Sequence, residues 1–167
     1  MLNLLDVKNR TVVVFNPKAD PRAIRLSRLD VNEPLSSYSK HSFELDGHEW
    51  PSVEHYYQAA KFEDEKYKQK ILSAAHPREA TKLGEVWFKP KKSNWKAKRI
   101  VMMTRGVYIK CRTHEEIAAK LLATGDELIV DTSQFDYYWG IGRDGRGENH
   151  YGEVLMAVRN RLREEQA

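Results

Sequence analysis

Pro51-Ser52-Val53-Glu54-His55-Tyr56-Tyr57-Gln58-Ala59-Ala60-Lys61-Phe62 is the stretch in which the pattern of the chain turns. Just before it, His41-Ser42-Phe43-Glu44-Leu45 alternates polar and apolar and runs into Asp46-Gly47. That dipeptide between alternating segments signals a tight hairpin. From Ser52 onward the apolar residues Val53, Tyr56, Tyr57 and Ala60 recur every three or four positions, the spacing of one helix face. Ser52 can cap that helix by accepting from a free backbone N–H. A hairpin that hands over to a helix predicts an α+β protein.

Working outward, a second helix is expected from Glu65 to Ala75. A third runs from Pro77, suited to a first turn, to Gly84, suited to an end. Asn94 is placed to cap a long helix over 95–110. Thr113-His114-Glu115-Glu116 reads as a capping box for the next helix, which Gly125 closes. Glu127–Asp131 reads as a short strand, 132–150 as a glycine-bearing loop, and 151–163 as a last helix burying Val154, Leu155, Val158 and Leu162. Upstream, Thr11-Val12-Val13-Val14-Phe15 is a β-branched run expected to form a strand, ended by Asn16-Pro17. Residues 18–37 have weak periodicity and read as loop or short helix. The expectation is a single compact, mostly helical domain with a small antiparallel sheet.

The composition fits one globular domain: 167 residues, 41% hydrophobic and 31% charged. A chain this long buries enough surface to fold without a disulfide or a metal. Its single cysteine, Cys111, excludes an intramolecular disulfide and suits a reducing, cytosolic compartment. Met1–Leu5 meets Asp6 before a leader-like apolar stretch forms, and no run has the length of a membrane span. Net charge is +4, placed unevenly. Lys89, Lys91, Lys92, Lys96, Lys98, Arg99, Arg105, Lys110 and Arg112 fall in a segment, 86–114, that holds no acid. Such a block can hold a phosphate or meet nucleic acid, or it can be a solvated helix face.

Two constellations carry chemistry. Glu54, Gln58 and Lys61 share one helical stripe, with Tyr57 and Phe62 beside it. The stripe is either a solvent-facing row of helix-stabilising pairs or a site in which carboxylate and amine act together on a substrate. Asp136-Tyr137-Tyr138-Trp139 then leads into Gly140-Ile141-Gly142. Its aromatics either fill the core or stack on a flat heterocycle that the carboxylate also contacts. Gly140–Gly145 matches GxGxxG, but one helix follows and the chain ends, so a dinucleotide fold is rejected. The loop can still offer backbone N–H groups to a phosphate near the last helix. His41, His48, His55, His76, His114 and His150 show no metal-ligand spacing, so neither metal nor other cofactor is expected. No GxSxG is present, and Cys111 inside a helix reads as packing.

Trp50–Phe62 resembles the signature of the YbiA/NADAR family. So do Leu83-Gly84, Asn94-Trp95, Leu121–Gly125, Asp136–Gly140, Gly145–Asn149 and the final Gly152, Leu155-Met156 and Arg159. The order and spacing hold from about Leu35 to Arg163. Residues 1–34 are then a strand and lead-in, and 35–163 the family-like domain. The resemblance implies an N-glycosidase that cuts a ribose C1–N bond. The substrate would be a small phosphorylated N-riboside such as a ribosylamino-pyrimidine of riboflavin synthesis, or ADP-ribosylated guanine in nucleic acid. A non-catalytic nucleic-acid-binding module is the competing class, and no membrane partner is expected.

On that resemblance Glu54, Lys61 and Asp136 are the expected catalytic groups, with Lys61 either an electrostatic partner or an imine-forming nucleophile. Ser37, Tyr57, Gln58, Trp95 and Trp139 would hold the base and ribose. Arg99, Gly145 and Asn149 would face the phosphate. Two departures stand out. The family's Ser-Asn-Phe before the hairpin is Ser36-Ser37-Tyr38 here, so Ser37 replaces an amide. Lys89-Pro90-Lys91-Lys92-Ser93 is also more basic than the family pattern requires.

Overall fold

The computed structural model describes residues 17–167. The strand expected at Thr11–Phe15 lies outside the described residues. After a 3-10 turn at Pro17–Ala19 come β1 (Ile24–Leu26), β2 (Phe43–Leu45), β3 (His48–Trp50) and the helices α1 (Val53–Ala59), α2 (Glu65–Leu72) and α3 (Pro77–Gly84). Then follow α4 (Trp95–Thr113), α5 (Glu115–Leu122), β4 (Ile129–Asp131) and α6 (His150–Gln166). The α+β class is as expected, with helix the main regular structure.

The sheet content differs in one respect. β2 and β3 form the expected antiparallel hairpin, with Phe43 opposite Trp50. Asp46 and Gly47 carry its turn at φ 53° and 79°, the left-handed pair such a turn needs. A second pair is parallel, β1 with β4, Ile24 opposite Ile129 and Leu26 opposite Asp131. β1 lies inside 18–37, read from the sequence as loop or short helix. Three residues carry too little pattern to show a strand. This one exists because β4, from the far end of the chain, supplies its partner, and most of the helices form the crossover that a parallel pair requires.

Helix starts follow local chemistry. Ser52 Oγ accepts from His55 N at 3.2 Å, and Asp64 Oδ1 accepts from Lys66 N and Tyr67 N. α4 runs further than expected, so the Thr113–Glu116 capping box does not form. Thr113 is the last residue of α4, and its hydroxyl bonds back to Ile109 O at 2.8 Å, the alternative open to a helical threonine. Asn94 stands at the N-cap of α4 without a side-chain capping bond.

α1 is the centre of the molecule. It packs against α2, α3 and α4, and all seven of its residues are buried. A helix enclosed all round is ordinarily apolar. This one carries Glu54 and Gln58 inward, and buried polar groups persist only where they find partners. The fold around α1 is therefore also the scaffold of a polar cluster.

Candidate active site

Glu54 is fully buried, 0% exposed, and both carboxylate oxygens are engaged. Oε2 accepts from Arg28 Nη1 at 2.7 Å and Ser37 Oγ at 2.9 Å. Oε1 accepts from Gln58 Nε2 at 2.8 Å and Thr81 Oγ1 at 2.9 Å. The donors come from the segment after β1, the loop before β2, α1 itself and α3. Four separate pieces of chain thus converge on one carboxylate. The stripe seen in the sequence faces inward, not to solvent.

Arg28 is the first of three cluster residues that sequence reasoning missed. Its guanidinium also reaches Asp136 Oδ2 at 3.2 Å, so it bridges the two expected acids. Its backbone N–H donates to the buried Asp131 at 3.1 Å, which fixes the chain where β1 ends. Burial works against the Arg28 charge, but the Glu54, Asp136 and Asp131 carboxylates outweigh it and hold the guanidinium firmly protonated. No motif marks Arg28, because it lies in the segment of weakest pattern. Thr81 and Tyr38 were missed too: Tyr38 Oη bonds Thr81 Oγ1 at 2.7 Å, behind the carboxylate.

Lys61 lies just past the end of α1, 6% exposed. Nζ is 3.5 Å from Gly84 O and 5.2 Å from the Tyr57 ring centre. Burial, helped by the charge of Lys91, pulls its pKa down to about 8. That is the condition an amine nucleophile needs.

Gln58 is held from behind by Gly84. A Cβ at Gly84 would fall 1.8 Å from Gln58 Oε1 and 2.9 Å from its Cβ, so the amide has nowhere to retreat. Gly84→Ala is expected to cost about 1–3 kcal/mol through overpacking. It should also lower turnover by pushing Gln58 off Glu54. Thermal melts and initial rates check this, and a variant with the parental melting temperature and rate would overturn it.

The remaining expected residues divide. Ser37 stands in the cluster: besides its hydroxyl on Glu54, its carbonyl accepts from Glu54 N at 3.0 Å. Asp136 Oδ1 accepts from Tyr138 N and Trp139 N, so this acid also shapes the aromatic loop. Tyr57 sits between Trp95 and Trp139, ring centres 5.2 Å and 5.4 Å away. Burial and the nearby Glu54 push its phenol well above the ordinary range. Trp95 and Trp139 are themselves buried, so this aromatic row is packed against itself, and neither indole lies open to solvent. Arg99 stacks on Tyr138, 3.4 Å from its ring centre. Asn149 is spent on structure: Nδ2 donates to Ile129 O at 2.9 Å and Oδ1 accepts from Asp131 N at 2.8 Å, docking α6 on β4. Gly145 sits in the turn before that helix at φ 75°, where a Cβ would meet open space.

A cavity of about 160 Å³ opens elsewhere, bounded by Asp46, Trp50, Tyr56, Gln69, Leu72 and Met102. It touches none of the Glu54 cluster. Among the described residues, no three His, Cys, Asp or Glu side chains are grouped to hold a metal ion, and no helix is long and apolar enough to cross a membrane.

Residues 15–163 match the sequence pattern of the NADAR domain. The chain is 37% identical over 128 residues to an N-glycosidase, YbiA, of Escherichia coli, covering 77% of this chain and 80% of that one. It is 39% identical over 132 residues to an N-glycosidase of Nostoc punctiforme, covering 77% and 85%. A riboflavin biosynthesis protein of Vibrio vulnificus is 37% identical over 130 residues, which are 78% of this chain but 35% of that larger protein. The solution structure of Escherichia coli YbiA superposes with a TM-score of 0.79 at 35% identity over 86% of each chain. With the domain pattern spanning most of the sequence and the same fold in a relative above one-third identity, the chain belongs to the NADAR family.

Proposed function

We propose that this protein is an N-glycosidase that hydrolyses the C1–N bond of a small N-riboside, with phosphorylated ribosylamino-pyrimidines of riboflavin synthesis as the substrate class. Relatives named N-glycosidase and riboflavin biosynthesis protein support the class. The observation that carries the mechanism is a buried carboxylate gripped by four donors on the same helical segment as an amine whose pKa is pulled down to about 8.

Cleavage of a ribose C1–N bond builds positive charge at C1 and the ring oxygen. In the proposed step the neutral Lys61 amine attacks C1. The C1–N bond breaks, and its electron pair leaves with the base, which gains a proton. Glu54 faces the developing positive charge and accepts the proton that the attacking amine gives up. The bond from C1 to the ring oxygen then opens, the oxygen taking back the proton from Glu54 as C1 becomes an imine to Lys61. Water adds to the imine, releases the sugar as its open-chain aldehyde, and the freed amine returns its extra proton to solvent. Asp136, ion-paired to Arg28, is placed to accept an N–H of the base through its exposed edge, and the base takes its proton from water. Tyr57 and Arg99 frame the base and phosphate sides. The single cysteine, free and buried, suits the cytosol.

The test is to incubate the purified protein with a ribosylamino-pyrimidine phosphate and detect free base and sugar phosphate by mass spectrometry. Failure to release base from any N-riboside would overturn the reading. One surface feature favours a second substrate arm. Trp87 is 93% and Phe88 62% exposed, directly before Lys89, Lys91 and Lys92. Exposed aromatics beside lysines suit a larger ligand that stacks and carries phosphates. ADP-ribosylated guanine, free or in nucleic acid, is therefore offered alongside. Binding that falls steeply with salt and releases no product would instead mark a non-catalytic nucleic-acid module.

The amine role sets a pH direction. Below about 8, Lys61 is mostly an ammonium and cannot attack. Activity should therefore rise as pH rises through 8, Lys61→Met should abolish turnover, and borohydride with substrate should add the sugar's mass to Lys61. Activity that falls through 8, with no trapped adduct, would assign Lys61 an electrostatic role instead.

A further inference from the structure

Lys110 is a lysine in the last turn of α4, 2% exposed, with no carboxylate among the described residues at ion-pairing distance. A buried ammonium is costly and is retained only where its donors are used. Nζ donates to Ser36 O at 2.8 Å and to Ser39 Oγ. Both acceptors belong to the turn Ser36-Ser37-Tyr38-Ser39, every residue of which is buried. The turn is also pinned internally, with Ser39 N donating to Ser36 Oγ at 3.0 Å and Ser36 Oγ to Asp30 O at 2.5 Å.

From its other side the same turn addresses the active site. Ser37 Oγ donates to Glu54 Oε2, Ser37 O accepts from Glu54 N, and Tyr38 Oη meets Thr81, a further donor to Glu54. Lys110 and Glu54 therefore grip opposite sides of one four-residue turn. We propose that Lys110 is a positioning residue for the Glu54 carboxylate, acting through the Ser36–Ser39 turn. The inference rests on the reading of Glu54 as the catalytic carboxylate.

The groups around the ammonium fit a holding role. Cys111 adjoins it on α4, Glu33 faces it from the loop before the turn, and Lys120 comes from α5. His41, from the segment after the turn, feels its charge, with His114 beside that imidazole. Glu33 is already paired to Lys120 at 2.8 Å, so the serine turn remains the chief partner of Nζ. Burial pulls the Lys110 pKa down to about 7, and the neutral amine still has an N–H for each of its two acceptors.

Lys110→Met keeps the length of the side chain and removes its donors. A displacement of the order of 1 Å at a reacting group can cost about 100-fold in rate. The expected result is a folded variant with kcat down about 10- to 100-fold and KM changed far less, because the lost contact acts on the alignment of the carboxylate. Combining Lys110→Met with Ser37→Ala should lose far less than the product of the two single losses, since both act through one contact. Ser39→Ala removes one acceptor of Nζ, and it should reproduce a milder kcat loss if Lys110→Met fails to fold. Parental kcat in both Lys110→Met and Ser39→Ala, or fully multiplicative losses with Ser37→Ala, would overturn the proposal. A parent protein that releases no base from any N-riboside overturns the glycosidase reading instead, so the two failures are distinguishable.

Discussion

Glu54→Gln is expected to leave a folded protein that releases base about 100- to 10,000-fold more slowly, the usual loss when a positioned acid or base is removed. The substitution is near-isosteric, so the cavity stays filled and α1 stays capped by Ser52. What changes is charge and hydrogen-bond sense. An amide offers one oxygen and one NH2 to four donors that all point at acceptors: Arg28, Ser37, Gln58 and Thr81. At least one donor is left facing an N–H, at about 1–3 kcal/mol. The melting temperature should therefore fall by several degrees, at roughly 2–4 °C per kcal/mol for a chain this size. The rate loss must exceed anything explained by that fall. Rates measured well below the melting temperature separate the two effects, and folded Glu54→Gln within a few-fold of the parent would rule the assignment out.

Arg28→Met carries the largest expected effect on stability. Arg28 and Glu54 form an ion pair whose side chains are 6% and 0% exposed. Such a pair can contribute little compared with an apolar substitute for both residues, yet removing one partner leaves a buried charge uncompensated, at about 3–5 kcal/mol. For a chain of this size that corresponds to a fall of roughly 6–20 °C in melting temperature. Asp136 loses its partner as well, so the Asp136–Trp139 loop should loosen. The double variant Arg28→Met with Glu54→Gln should recover part of the loss, because it removes the stranded charge. Denaturant unfolding of the two single variants and the double variant gives the coupling directly. Arg28→Met melting within about 2 °C of the parent, or losses that simply add, would show that the pair is not the centre of the cluster.

The patterned parts of the chain were legible one segment at a time. The hairpin at Asp46-Gly47, the α1 cap at Ser52, α3 between Pro77 and Gly84, and α6 each depend on turn chemistry or on an apolar face written within a few residues. Glu54, Gln58 and Lys61 were legible for the same reason, since helical spacing alone puts them on one stripe. The direction of that stripe was not. A polar row on a short helix is ordinarily a solvent face, and only the packing of α2, α3 and α4 around α1 turns it inward.

What the sequence by itself determined is therefore local: the helices, the hairpin, the family signature and the acid–amine stripe. What only the tertiary structure decided is which distant residues complete them. β1 is three residues with no periodicity and becomes a strand because β4 pairs with it. Arg28, one turn of chain beyond β1, becomes the clamp on Glu54 and Asp136 only when that parallel pair is made. Trp95 and Trp139, legible as stacking candidates, turn out to pack on Tyr57 once α4 and the 136–140 loop meet. Spacing along a chain encodes what lies within a few residues on one element. Burial, ion pairing and orphaned hydrogen-bond donors are properties of groups brought together from far apart, so they exist only in the folded molecule.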